Sequence, residues 1–209
     1  MQIYPDRMAE SVEPGDSVLV LCSSFTDDES AACADLLTLD DPGRTDVLWV
    51  ALADSPAERL TAWDHHVDER PSRAAVVSVD SDTRSYGSAV ADDRASAPPP
   101  SGATVETVSD PGNLTRLGVA ITERLAEWEE DERNRSTAVC FKSLTTLLQY
   151  VSVEQAFKFL HVLTSKPVVA EATGHYHLDP TAHDEQTVAT LVELFDAVCE
   201  CGDSPEWSR

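Results

Sequence analysis

Short apolar runs, separated by stretches of helical periodicity, constrain this chain more than any other feature. The runs are residues 17–22, 46–52, 73–79, 104–108, 138–141, 167–172 and 197–201. Several are apolar at consecutive positions, as in Val18-Leu19-Val20-Leu21 and Val47-Leu48-Trp49-Val50. A strand with one wet face alternates apolar and polar residues, whereas a continuous run belongs to a strand buried on both faces. Between the runs, residues 28–37, 56–69, 115–130, 153–165 and 182–194 carry apolar residues at helical spacing. Pro56 suits the first turn of its helix. The alternation predicts an α/β fold: a mainly parallel central sheet with helices on both faces.

The pattern breaks once. Residues 80–103 are rich in Ser, Asp, Ala and Pro, and include Pro98-Pro99-Pro100. This reads as an exposed, mobile loop rather than a boundary. Residues 1–209 are then a single domain, and an apolar content of 42% is enough for one good core.

Charge narrows the partners. Asp and Glu number 38 against 15 Lys and Arg, a formal net charge of −23. Such a surface repels nucleic acid and anionic membranes, which leaves another protein as the expected partner. Abundant Asp and only three lysines, Lys142, Lys158 and Lys166, fit adaptation to a salt-loving archaeal cytoplasm. In molar salt the Debye length is about 3 Å, so only charges in contact matter. The N-terminus has no basic region followed by an apolar one, and no apolar run approaches the roughly 20 residues of a membrane span. A cytoplasmic location is expected. Cys22, Cys33, Cys140, Cys199 and Cys201 form no CxxC pair and read as reduced core residues.

Lys142 is the least expected residue. It ends the run Ala138-Val139-Cys140-Phe141 and precedes Ser143-Leu144-Thr145. In α/β enzymes that position, the carboxyl end of a buried strand, commonly carries a metal-binding carboxylate.

The segment Cys140-Phe141-Lys142-Ser143-Leu144-Thr145 resembles the second nucleotide motif of RecA/KaiC-like ATPases, with lysine in place of aspartate. Val18 to Leu21, followed by a polar loop and a helix, is similar to the family's P-loop position. Leu48 to Pro56 resembles its second strand, which usually ends in an acidic pair before Ser-Pro. The stretch from 147 to 198 resembles KaiC-like paralogues of salt-loving archaea. The resemblance implies a RecA/KaiC-like P-loop NTPase fold over about residues 17–201.

It also implies a vestigial site. A working P-loop needs glycines, whose backbone N–H groups wrap phosphate, and a lysine. Here residues 22–30 contain neither. Aligning Ser30 with the magnesium-binding hydroxyl puts Glu29 at the lysine position. Ala53 falls where the enzymes carry a water-activating glutamate, with Asp54 next. The remaining polar loop residues are Ser23, Ser24 and Thr26. Three losses together predict no hydrolysis and no cofactor, neither ATP nor magnesium. Thr26 and Glu29 have the spacing of a capping box. The charge inversion at Glu29 and Lys142 admits two readings: Glu29 or a neighbouring acid pairs with Lys142 and closes the site, or Lys142 snorkels to solvent.

His175, His177 and His183 form the richest titratable cluster, in a segment read as a loop after the 167–172 strand. They are weak candidates for a three-ligand metal site. The alternative is a loop and helix N-terminus in which Asp184 and Glu185 favour the helix dipole. The leading expectation is a non-catalytic pseudo-ATPase, monomeric or homodimeric, acting as a regulatory or protein-interaction module. The alternatives are an atypical nucleotide binder and a metal-dependent enzyme built on the histidines.

Overall fold

The computed structural model describes residues 12–24, 26–52, 54–79, 102–130, 135–166, 169, 171–201 and 206–208. Most of the acidic, Pro-rich stretch at 80–103 lies outside them. The strands are β1 (Ser17–Leu21), β2 (Thr45–Ala51), β3 (Arg73–Val79), β4 (Ala103–Val108), β5 (Ser136–Lys142), β6 (Thr173–Leu178), β7 (Ala197–Glu200) and β8 (Glu206–Ser208). The α-helices are α1 (Asp27–Leu37), α2 (Pro56–His66), α3 (Leu114–Glu129), α4 (Leu144–Leu147), α5 (Val153–Thr164) and α6 (Glu185–Val192).

One sheet runs β4-β3-β2-β5-β6-β1-β7-β8. Every pairing is parallel except β7 with β8. Side chains alternate between the sheet's faces with period two. Leu19, Leu48, Val50, Val139, Phe141 and Tyr176 therefore share one apolar cluster with residues of α3, α5 and α6. Val47, Trp49, Ala138 and Cys140 face the other way, against Cys33 and Leu37 of α1 and Leu60 and Trp63 of α2. The Trp49 and Trp63 rings meet edge to face at 5.7 Å, a favoured aromatic geometry. Both faces are covered, as the continuous apolar runs require.

Polar groups anchor the helices. Ser55 and Glu58 form a capping box on α2, and Ser152 and Gln155 another on α5. At the start of β2, Asp46 is 1% exposed and is flanked by Arg73 and Arg135. Two cations around one buried carboxylate tie β2 to β3 and to the start of β5.

Three sequence expectations change. The sixth strand is Thr173–Leu178, not residues 167–172. Tyr176 and Leu178 fill the apolar face while His175 and His177 point to the opposite one. The two imidazoles are 1% exposed, so polar residues that looked like loop are strand interior. The cysteines are not all reduced: Cys22, just past β1, is disulfide-bonded to Cys201, just past β7. Parallel pairing brings those strand ends together. Finally, an unexpected strand, β8, lies antiparallel on β7 at the sheet edge. Among the described residues, no helix is long and apolar enough to cross a membrane.

Candidate functional site

At the carboxyl ends of the central strands, Glu29 and Lys142 meet. Lys142 Nζ lies 3.0 Å from Glu29 Oε2, and their side chains are only 8% and 3% exposed. β6 stands between β1 and β5. The two residues still reach each other because α1 packs across that strand, against β5. Lys142 is thus paired and buried, and does not snorkel to solvent. The Lys142–Ser143 peptide is cis.

The helix start differs from the expected capping box. Thr26 caps α1 by accepting from the Glu29 N–H. The Glu29 carboxylate turns inward instead of back to the cap. Its Oε1 is 3.4 Å from His177 Nδ1. Burial pushes the Glu29 carboxyl up, but His177 and Lys142 together hold it below the usual carboxylate range. Burial pushes His177 down, yet its contacts with Cys33 and Glu29 leave it above the ordinary imidazole value.

Beneath this pair lies a second cluster. Cys33 sits one helical turn after Glu29, on the same side of α1. Cys140 sits two residues before Lys142, on the same face of β5. In the sheet register Cys140 stands opposite His175, and His177 follows on the same face of β6. Ligand-capable atoms of Cys33, Cys140, His175 and His177 all lie within 4.8 Å of one another, and all four residues are buried. Cys33 Sγ is 3.4 Å from Cys140 Sγ and 3.4 Å from His175 Nε2. The contact with Cys140, with nearby His175, pulls the Cys33 thiol down despite burial. Burial and the neighbouring sulfur push Cys140 up. Burial also pushes His175 down.

His183 does not belong to this group. It follows a 3-10 turn at Pro180–Ala182, and Asp184 after it caps α6 by accepting from Thr187 N–H. The expected trio therefore divides: two histidines join two cysteines in the core, and the third belongs to a turn and cap. Loop geometry had suggested three histidines; strand geometry supplies two and brings the thiols.

The loop after β1 is closed by the protein's own groups. Asp179 Oδ2 accepts from the Ser24 N–H at 2.9 Å, and the Asp179 N–H donates to Thr145 Oγ1 at 2.8 Å. Burial would raise the Asp179 carboxyl, but hydrogen bonds from Thr181 and Ser24 hold it low. A backbone N–H of the kind that binds phosphate in a P-loop thus already serves a carboxylate. Ser23 is exposed and its carbonyl accepts from Thr26 Oγ1, while the Ser30 N–H donates to the Thr26 carbonyl. Asp54 pairs with Arg59 at 3.0 Å. Ala53 lies outside the described residues. Replacing Asp179 with Ala is expected to cost about 1 kcal/mol, the usual worth of a lost hydrogen bond. It should also speed amide exchange at Ser24, as read by hydrogen–deuterium exchange.

A buried carboxylate already paired with a buried cation offers neither an available cation for a triphosphate nor an available carboxylate for magnesium. A larger concavity of about 500 Å³ lies on the other face, lined by Leu114, Val119, Phe159, Val162 and Lys166, and contains none of these residues.

Comparison with known proteins agrees with the architecture. No curated protein matches the chain. PH0250 from Pyrococcus horikoshii superposes with a TM-score of 0.61 at 11% identity, covering 98% of this chain and 91% of that one. PH0321 from the same organism, an uncharacterized protein solved with an unknown peptide, gives 0.62 at 11% identity over 93% and 80%. The flagellar accessory protein FlaH from Methanocaldococcus jannaschii gives 0.55 at 11% identity over 98% and 83%. These archaeal neighbours and the parallel sheet establish a RecA-like α/β fold of the P-loop NTPase type. The profile of a family of unknown function, DUF7504, matches residues 15–201, and the chain belongs to that family.

Proposed function

We propose that this protein is a non-hydrolysing RecA-like domain with a regulatory or protein-interaction role. The observation that carries the reading is the buried Glu29–Lys142 ion pair. By the sequence resemblance to RecA/KaiC-like ATPases, Glu29 takes the position of the phosphate-binding lysine and Lys142 that of the metal-anchoring aspartate. Two unit charges about 4 Å apart repel by about 1 kcal/mol in water and more where solvent is excluded. A triphosphate entering beside Glu29, with Lys142 already engaged, meets that repulsion without compensation.

Two further features support the reading. The loop from 22 to 30 has no glycine, so its backbone cannot curl around phosphate as a P-loop does. Asp179 holds the Ser24 N–H. An accessory role also suits the likeness to FlaH, itself a flagellar accessory protein.

Isothermal titration with ATP and magnesium in molar KCl tests this directly. No binding heat is expected up to millimolar nucleotide. A micromolar Kd would overturn the proposal in favour of an atypical nucleotide-binding protein.

A further inference from the structure

The geometry points to a structural zinc site formed by Cys33, Cys140, His175 and His177. This inference rests on the buried cluster alone and stands whether or not the protein binds nucleotide. Two thiolates and two imidazoles are a donor set for four-coordinate zinc. Zinc–sulfur and zinc–nitrogen bonds of about 2.3 and 2.0–2.1 Å place tetrahedral ligand atoms about 3.3–3.8 Å apart. Two of the separations here are 3.4 Å, and none exceeds 4.8 Å. Closing around a metal requires movements of about 1 Å or less.

The donors come from three elements that the fold holds rigidly. His175 and His177 are alternate residues of one strand, and Cys140 is the register partner of His175. Cys33 descends from α1. A cavity of about 20 Å³ lined by Ser30, Cys33, Trp49 and Trp63 leaves the Cys33 side chain room to shift.

An independent observation points to a ligand. Both ring nitrogens of fully buried His177 lack a hydrogen bond of good geometry. An unsatisfied buried polar atom is costly, and native proteins seldom keep one without purpose. A metal at the cluster centre satisfies Nε2. Glu29 stands where metal-binding histidines usually find a carboxylate, 3.4 Å from Nδ1, and closing that contact to a hydrogen bond on metal binding fixes the tautomer that leaves Nε2 free.

Charge balances without a counter-ion. Loading releases the thiol protons of Cys33 and Cys140 to solvent. The divalent ion with two thiolates and two neutral imidazoles carries no net charge, and Glu29 with Lys142 carries none either. All four zinc positions come from protein, so none is open to substrate, and the site is structural rather than catalytic. The metal clamps α1 to β5 and β6.

The test uses the full chain, purified with reductant, and cobalt(II) as the probe. About one cobalt ion per chain is expected, with the intense visible absorption of tetrahedral cobalt and a thiolate-to-cobalt charge-transfer band. Cobalt bound to surface carboxylates of this acidic chain gives neither. Zinc should displace cobalt stoichiometrically. Cys140→Ser should abolish the thiolate band, and the control Cys199→Ser should leave it. Glu29→Gln, as a positioning change, should keep the band but weaken affinity by about 10–100-fold. Absence of the band in folded, reduced wild-type protein that elemental analysis shows to be free of zinc overturns the site. Protein that is zinc-free as purified and takes up no zinc also overturns it, as does a band that survives Cys140→Ser. If Cys140→Ser does not fold, the wild-type spectrum decides alone.

Discussion

Lys142→Met is expected to destabilise the protein by about 3 kcal/mol, the low end for breaking one side of a buried ion pair. Lys142 is 7% exposed and Glu29 is 2% exposed, so neither charge can turn to water. Methionine fills much of the lysine volume but leaves Glu29 without its cation. The cost stays near the low end because His177 remains 3.4 Å from the same carboxylate. The double variant Glu29→Leu/Lys142→Met should recover most of the loss. Replacing both partners by apolar groups removes the desolvation penalty together with the attraction. Urea unfolding of the wild type, both single variants and the double variant gives the coupling as a double-mutant cycle. A double variant no more stable than Lys142→Met would mean that the pair does not hold the site closed.

Asp46→Ala should produce a loss of comparable size, about 3 kcal/mol or more, at a place remote from the carboxyl ends of the strands. Asp46 begins β2 and is 1% exposed between Arg73 and Arg135, whose side chains are 24% and 16% exposed. Removing the carboxylate leaves two guanidinium groups facing each other across a partly buried gap. Arg73 is the less affected, because it also donates to the Trp128 carbonyl and lies over the Trp128 ring. Thermal unfolding monitored by Trp fluorescence measures the effect, and Asp46→Asn separates charge from shape. Molar salt should reduce the loss only slightly, because the contacts are short and shielded from solvent. Equal stability of Asp46→Ala and wild type would contradict this account of how β2, β3 and β5 are tied.

The sheet was legible in the sequence because a buried parallel strand announces itself by composition. Val18–Leu21 and Val47–Val50 have no polar position to spare, and their order fixed most of the architecture. β6 was misread for the same reason. Gly174-His175-Tyr176-His177-Leu178 alternates as a one-sided strand would, yet both its faces are covered. The two imidazoles are buried because thiols and a carboxylate await them from other elements, and nothing local reveals that. Val168 and Val169 offered the stronger apolar signal and drew the strand upstream.

Within the site, Glu29 and Lys142 were visible because the resemblance to RecA/KaiC-like ATPases marked each as opposite in charge to the residue expected there. The cysteines carried a weaker signal. Cys33 follows Glu29 by four on a helix and Cys140 precedes Lys142 by two on a strand. Once Glu29 and Lys142 are placed together, those spacings bring the thiols together as well. Composition hid this, because buried cysteine normally behaves as a small apolar residue. Asp179 gave no signal beyond its position after β6.

The antiparallel strand at the sheet edge carries a like-charge pair whose repulsion depends on ionic strength. Glu200 of β7 faces Glu206 of β8 directly across the ladder, and both are exposed. Like charges so placed push the strands apart. In dilute buffer this repulsion acts over a Debye length of about 10 Å or more, and in molar salt over about 3 Å. β8 is therefore expected to pair more firmly with β7 in molar salt than in dilute buffer, and faster amide exchange at residues 206–208 on dilution would show it.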